Sequence, residues 1–181
     1  MIKDNTVLAV IPARGGSKRC PRKNIKDFRG KPLILWTIEA AQQSKYIDTL
    51  VVSTEDAEIK SVADPYCYVI DRPQELATDT ATNEDVMRHA LAQYHHADIV
   101  VLLQPTSPLR LAADIDDCIK NCAAHVPSIT FNGQLKKNGA VYVCYAVWLA
   151  KGGNFNMYYC YPHIMPDERS LDIDYLEQFN G

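Results

Sequence analysis

Apolar positions along this chain alternate between two rhythms, unbroken short runs and helical spacing. Val7 to Ile11 is a continuous apolar run stopped by Pro12, which predicts a buried strand. Pro32 suits the first position of a helix, and Leu33, Ile34, Trp36, Thr37, Ala40 and Ala41 recur at helical spacing to about Ser44. Thr49 to Ser53 predicts a second strand, and Thr54-Glu55-Asp56 caps a helix reaching about Ala63. Asp64-Pro65 ends that helix, and Cys67 to Ile70 predicts a third strand. Asp71 to Ala81 reads as loop, with Asn83 as N-cap of a helix from Glu84 to about His95. Asp98 to Leu103 is the most apolar strand, and a helix follows from Asp114 to about Cys122. Ser128 to Phe131, Ala140 to Cys144 and Tyr158 to Tyr161 predict the last strands. Ser170 to Asn180 holds an acidic pair and a final helical turn or two.

Strands alternating with helices predict an α/β fold built of βαβ units, with a mainly parallel sheet and helices on both faces. Ligands of such sheets sit beyond the carboxyl ends of the strands. The chemically unusual segments, Arg14 to Asn24, Arg72 to Asn83 and Gln104 to Arg110, each follow a strand.

The first of these segments carries the clearest chemistry. Arg14, Lys18, Arg19, Arg22 and Lys23 place five cations within ten residues, around Gly15, Gly16 and Ser17. Adjacent glycines let backbone N–H groups approach an anion, and the cations neutralise it. A polyphosphate cradle is the functional reading, and a solvated basic turn is the plain one. The segment is not a P-loop, because no glycine stands at the required distance before Gly16-Ser17-Lys18. It is not a dinucleotide loop either, because the glycines are adjacent and no third follows.

The 181 residues suit about one domain, 1–181, able to bury roughly 70% of its unfolded surface without staples. The net charge of −3 argues against a general nucleic-acid binder, and no run approaches the ~20 apolar residues of a membrane span. No signal peptide is visible, and the six cysteines form no C-x-x-C pair, so a cytoplasmic protein with free thiols is expected. Cys118 and Cys122 can share a helix face but lack a second pair of zinc ligands.

The segment 11–24, Ile-Pro-Ala-Arg-Gly-Gly-Ser-Lys-Arg-Cys-Pro-Arg-Lys-Asn, resembles the signature of the cytidylyltransferases that activate nine-carbon acidic sugars, typified by CMP-N-acetylneuraminate (CMP-sialic acid) synthetases. Leu102 to Arg110, Arg72 to Ala81, Asn138 to Tyr142 and Leu171 to Asp174 resemble four further blocks in family order. The resemblance implies a Rossmann-like three-layer nucleotidyltransferase fold. It implies transfer of CMP from CTP to the anomeric hydroxyl of a nonulosonic acid, with release of pyrophosphate and help from Mg²⁺ or another divalent cation. By resemblance, Arg14, Lys18 and Lys23 contact the triphosphate beside Gly15, Gly16 and Ser17. Ala13, Asn24, Arg72 and Asn83 line the cytidine side, Gln104 stands between nucleotide and sugar, and Asp172 and Asp174 hold the metal. The pair also makes chemical sense alone, since carboxylates at i and i+2 of an extended segment share one side.

Plainer readings stand beside these. Gln104-Pro105 can be a strand terminator, Arg72 a surface cation, Asp79 a turn-forming side chain and Asp174 the N-cap of a last helix. His95, His96 and His163 read as surface residues. Tyr158, Tyr159 and Tyr161 read as strand residues on both faces.

The chain departs from the family between Arg110 and Asn138, where only 27 residues stand in place of a longer dimerisation arm and sugar lid. A shortened lid around 111–138 and a clipped end after Asp174 imply a weakened homodimer and looser water exclusion. Lys136 or Lys137 is a candidate replacement for the missing sugar-carboxylate clamp. Two alternatives remain at this stage: a CTP- or CMP-sugar-binding protein without turnover, and a synthetase for the eight-carbon acid KDO. Relatives of the latter carry an acidic pair where Pro105-Thr106-Ser107-Pro108 stands here.

Overall fold

The computed structural model describes residues 5–17, 19–122, 126–156 and 159–180. Its centre is β1 (Val7–Pro12), whose residues 7 to 11 are all at most 1% exposed. A strand sealed on both faces needs apolar side chains at every position, which is why the run does not alternate. The other elements follow in order: β2 (Asp27–Phe28), β3 (Lys31–Pro32), α1 (Leu33–Gln42), β4 (Thr49–Thr54), α2 (Ala57–Ala63) and β5 (Tyr68–Asp71). Then come α3 (Asn83–Gln93), β6 (Ile99–Leu103), α4 (Ala112–Asn121), β7 (Ser128–Phe131), β8 (Lys137–Tyr145), α5 (Ala146–Ala150) and β9 (Tyr161–Ile164).

Seven strands form one sheet in the order β5-β4-β1-β6-β8-β7-β9. β5, β4, β1 and β6 run parallel, β8 is antiparallel to both β6 and β7, and β9 is parallel to β7. The period-two geometry of β1 and β6 sorts the core into two layers. Val7, Ala9, Ile11, Ile99, Val101 and Leu103 pack with residues of α1, α2 and α4. Leu8, Val10, Val100 and Leu102 pack with Met87 and Ala90 of α3 and Leu149 of α5. Helices therefore cover both faces, and the fold is a three-layer α/β sandwich.

The chain leaves β1 toward β4 and β5, then returns to β6 on the other side of β1. That reversal splays the connections apart at the carboxyl end of β1 and opens a crevice there. β2 and β3 form a two-stranded hairpin whose turn, Arg29-Gly30, has φ values of +53° and +93°. Two left-handed residues in succession match the twist of a tight hairpin, and Gly30 takes that geometry without steric cost.

Several boundaries differ from those expected. Thr82, not Asn83, caps α3: its hydroxyl accepts from Asp85 N–H, and the Asp85 carboxylate accepts from Thr82 N–H. Asn83 is the first helical residue. Pro32 precedes α1 as its cap, so Leu33 is the first residue of that helix. The last strand is Tyr161–Ile164 in place of the expected Tyr158 to Tyr161; Tyr158 lies outside the described residues. His163 is not a surface residue: its Nε2 lies 3.1 Å from Asp114 Oδ1, and its side chain is 18% exposed. The Asp114 carboxylate also accepts from Arg169 at 2.7 Å and Leu111 N–H at 2.8 Å, which ties β9 and the following turn to the start of α4.

Candidate active site

A cleft of about 400 Å³ opens beyond the carboxyl ends of β1 and β6. A second lobe of about 460 Å³ adjoins it, lined by Arg14, Ser17, Arg19, Lys23, Asp79 and Asp174. The floor is the loop after β1. Ala13 N–H donates to Ser53 O at 3.0 Å, so the main chain is still held against β4 as it leaves the sheet. Asn24 is buried and donates from Nδ2 to Arg14 O at 3.0 Å, which pulls the far end of the loop back onto its start. Gly15 N–H donates to Glu55 Oε1 at 2.8 Å. A Cβ on Gly15 would stand 2.3 Å from Asp56 Oδ2, so only glycine lets the loop approach α2 this closely.

The loop cations meet carboxylates from other segments. Arg14 Nη1 lies 2.9 Å from Asp79 Oδ1, across the cleft mouth. Lys23 Nζ donates to Asp174 Oδ1 at 3.0 Å and to Ile173 O at 2.9 Å. Arg19 Nη1 is 3.4 Å from Asp174 Oδ2. Lys18 lies outside the described residues.

The acidic pair arrives on the C-terminal segment. Ile173 is fully buried against Phe28 and Leu33, and its N–H donates to Thr106 O at 2.7 Å. Asp172 and Asp174, one residue to either side, line the cleft, as period-two geometry requires. Asp174 is not a helix N-cap. Gln178 closes that turn instead, its Oε1 accepting from Asp174 N–H and Tyr175 N–H. Burial pushes the Asp172 carboxyl above its ordinary range, and the charge of Asp174 adds to this, while the Thr106 hydroxyl, Lys23 and Arg110 draw it back. Asp172 Oδ1 is buried with no hydrogen-bond partner among the described residues.

Arg72 is not a surface cation. It is 6% exposed, lines the cleft, and donates from Nε to Ser53 Oγ at 3.2 Å and from Nη2 to Ser53 O at 2.5 Å. Burial pushes its pKa down to about 10, opposed by Glu55 and reinforced by Arg14. Gln104 lines the wall opposite, after β6, and its carbonyl accepts from the wholly buried Arg110. Arg110 also donates to Thr37 Oγ1 at 2.8 Å. Burial lowers its pKa to about 9, against the pull of Asp114 and Asp172.

The family model described as Cytidylyltransferase matches residues 8–145. The chain belongs to the cytidylyltransferase family. It is 40% identical over 115 residues to an N-acylneuraminate cytidylyltransferase of Escherichia coli O18:K1:H7, a match covering 63% of this chain and 27% of that protein. It is 46% identical over 110 residues to a CMP-N,N'-diacetyllegionaminic acid synthase of Legionella pneumophila, covering 58% of this chain and 47% of that protein. The matches thus span about half or less of these relatives' lengths. A nucleotidyl transferase from Methanothermobacter shares the fold at TM-score 0.78 and 15% identity, covering 97% of this chain and 95% of that one.

Of the residues expected at the site, Arg14, Ser17, Lys23, Asn24, Arg72, Asn83, Gln104, Asp172 and Asp174 line the one cleft. Ala13 is buried beneath it, and Gly16 is exposed beside it, neither among the lining residues. Lys136 and Lys137 do not line it either, and Lys137 donates to Phe155 O. Sequence reasoning assigned no role at the site to Thr106, Glu55 or Asp79. Beside Asp79, Thr78 closes a backbone turn, accepting from Ala81 N–H at 3.2 Å. None of the six cysteines is in a disulfide. Burial pushes both the Cys118 and Cys122 thiols up to about 12, as packing in the core requires. Among the described residues no helix is long and apolar enough to cross a membrane, and no cluster of three or more His, Cys, Asp or Glu forms.

Proposed function

We propose that this chain transfers the cytidylyl group of CTP to the anomeric hydroxyl of a nonulosonic, sialic-acid-like sugar and releases pyrophosphate. The observation that carries the reading is the meeting of two distant segments. The cation-rich loop after β1 and the acidic pair 150 residues later face one cleft, joined by Lys23 to Ile173 O and Asp174. Phosphoryl transfer with an oxygen nucleophile needs little beyond charge neutralisation and in-line positioning, and both are built here from side chains on fixed backbone.

Arg14 and Lys23 neutralise the triphosphate, with Lys18 as a third candidate. Arg72, Asn24 and Asn83 stand on the cytidine side with the backbone of Ala13. Gln104 sits between the nucleotide and the sugar, positioned to orient the attacking hydroxyl. The sugar oxygen forms the new bond to the α-phosphorus as the bond to the pyrophosphate oxygen breaks. Asp172 and Asp174 would hold Mg²⁺ or another divalent cation. Their fit rests on the unpartnered buried Oδ1 of Asp172, and on two carboxylates being the usual protein share of a Mg²⁺–phosphate site. Such an ion supplies Lewis-acid stabilisation of the charge that develops on the phosphates.

The similarity to named neuraminate and legionaminate enzymes supports a nonulosonate as acceptor. The Pro105-Thr106-Ser107-Pro108 segment disfavours KDO. CTP as substrate and six cysteines outside any disulfide support a cytoplasmic enzyme, and the short segment 111–138 supports at most a reduced dimer contact. The test is chromatographic detection of a CMP-sugar from CTP, Mg²⁺ and neuraminic, legionaminic or pseudaminic acid, with Asp174→Ala as control. CTP binding without product from any acid would replace this reading with that of a nucleotide-binding protein.

A further inference from the structure

We propose that Asp79 is a built-in substitute for a phosphate group. It holds the Arg14 guanidinium across the cleft mouth before the triphosphate arrives, and it takes Arg14 back as pyrophosphate leaves. The inference rests on the nucleotide reading above and assigns a role to a residue of the Arg72 to Ala81 block for which the resemblance implied none.

The geometry separates a fixed frame from an exchangeable contact. Arg14 belongs to the loop after β1, and Asp79 to the connection before α3. Their side chains meet at 2.9 Å, and both residues line the main cleft and the charged lobe. The main chain at Arg14 does not depend on that pair. Asn24 holds its carbonyl, and Glu55 holds the N–H of the next residue. The segment of Asp79 is likewise closed by its own bonds: Thr78 Oγ1 donates to Glu75 O, and the Thr82–Asp85 capping box anchors it to α3. Arg14 can therefore change partner by side-chain rotation alone.

Carboxylate and phosphate oxygens are interchangeable acceptors for a guanidinium fork, and phosphate carries the greater charge. The Arg14–Asp79 pair is 34% and 46% exposed, so solvent and salt weaken it. Lys23 differs: its side chain is 13% exposed and bound to a carbonyl as well as a carboxylate, so it stays in place. A displaced Asp79 then faces the β- and γ-phosphates as a like charge. It opposes retention of pyrophosphate and speeds its departure at some expense in CTP affinity.

Calorimetric titration of CTP, pyrophosphate and CMP into the full chain tests this with Asp79→Asn, Arg14→Met and the double variant. Removing an exposed ion pair frees about two- to fivefold in affinity. Asp79→Asn is expected to tighten CTP and pyrophosphate by that factor, to tighten CMP less, and to slow pyrophosphate dissociation. The gain should shrink as salt rises, and in the Arg14→Met background it should fall to the smaller part that like-charge repulsion alone supplies. Unchanged or weaker CTP and pyrophosphate binding in Asp79→Asn overturns the proposal, as does an equal gain without Arg14. If the unmodified chain binds none of the three ligands, the nucleotide reading of the cleft fails as well. If it binds CTP and Asp79→Asn leaves that affinity unchanged, only the role of Asp79 fails.

Discussion

Replacing Gly139 with alanine separates backbone conformation from site geometry. Gly139 lies in β8 with φ of +77°, where a Cβ is strained whatever the surrounding space. A Cβ built there stands 2.5 Å from Gln104 Oε1 and 3.5 Å from Asp172 Oδ2. The second distance is an ordinary contact, but the first requires the Gln104 amide to retreat by roughly 1 Å, a displacement that can cost about 10²-fold in rate where positioning matters. The amide is the far end of a flexible side chain, so the clash relaxes cheaply. The stability cost is then mainly conformational, about 1–2 kcal/mol before the compensating loss of unfolded-state freedom. That corresponds to a Tm lower by about 2–4 °C for each kcal/mol in a chain this long. Gly152, at φ +90° with open space around it, supplies the control: Gly152→Ala meets the same strain far from the cleft. Thermal melts and steady-state CMP-sugar synthesis on both variants should show similar Tm losses, with kcat/KM falling up to about 10²-fold only in Gly139→Ala. Equal kcat/KM in the two variants would refute the placement of Gln104 at the reacting groups.

Other expectations follow from the same contacts. Arg72→Lys keeps the charge but cannot reproduce both bonds to Ser53, so CTP binding should weaken by about tenfold in titration calorimetry with little change in the fold's circular dichroism. Asp114→Asn should lower the urea-unfolding free energy at pH 7 by about 2–3 kcal/mol, because a buried carboxylate loses its charge-assisted bonds to Arg169, His163 and Leu111 N–H. Burial works to raise the Asp114 carboxyl, but the bonds from His163, Arg169 and Leu111 N–H outweigh it and hold the carboxyl below its ordinary value of 3.8. Its contribution is therefore complete above that value and is lost as pH falls through the lower folded one. Unfolding midpoints taken down to pH 2 should decline less in Asp114→Asn than in the unmodified chain. Cys118 and Cys122, both raised to about 12, should resist a thiol reagent at pH 8 until denaturant is added; rapid native labelling of either would contradict their packing.

The parallel half of the fold was legible because β1 and β6 are apolar at every position, a pattern that survives without knowledge of neighbours. The cradle was legible because its cations are contiguous. Contacts between distant segments were not. Arg72 reads as a surface cation until Ser53, 19 residues earlier, is seen to hold it inside the sheet edge. His163 shows no partner at any ligand spacing, since Asp114 lies 49 residues away. Asp174 resembles a helix cap locally, and only the approach of Lys23 redirects it. The cap of α3 is a different case. Thr82 and Asp85 carry a capping-box pattern in plain view, and Asn83 misled because asparagine is an equally good cap taken alone. β9 was misplaced by three residues because tyrosines mark strand propensity, whereas pairing with β7 is set by register.

The central claim is transfer of the α-phosphate of CTP to a sugar hydroxyl in the cleft between Arg14, Gln104 and Asp172. Its most direct test uses CTP labelled separately at the α- and γ-phosphates, incubated with Mg²⁺ and a nonulosonic acid. The α-label should pass into a CMP-sugar and the γ-label into pyrophosphate, in equal amounts, and neither should move without the sugar. Release of pyrophosphate at the same rate without sugar, with the α-label recovered as CMP, would show hydrolysis and contradict the transfer mechanism.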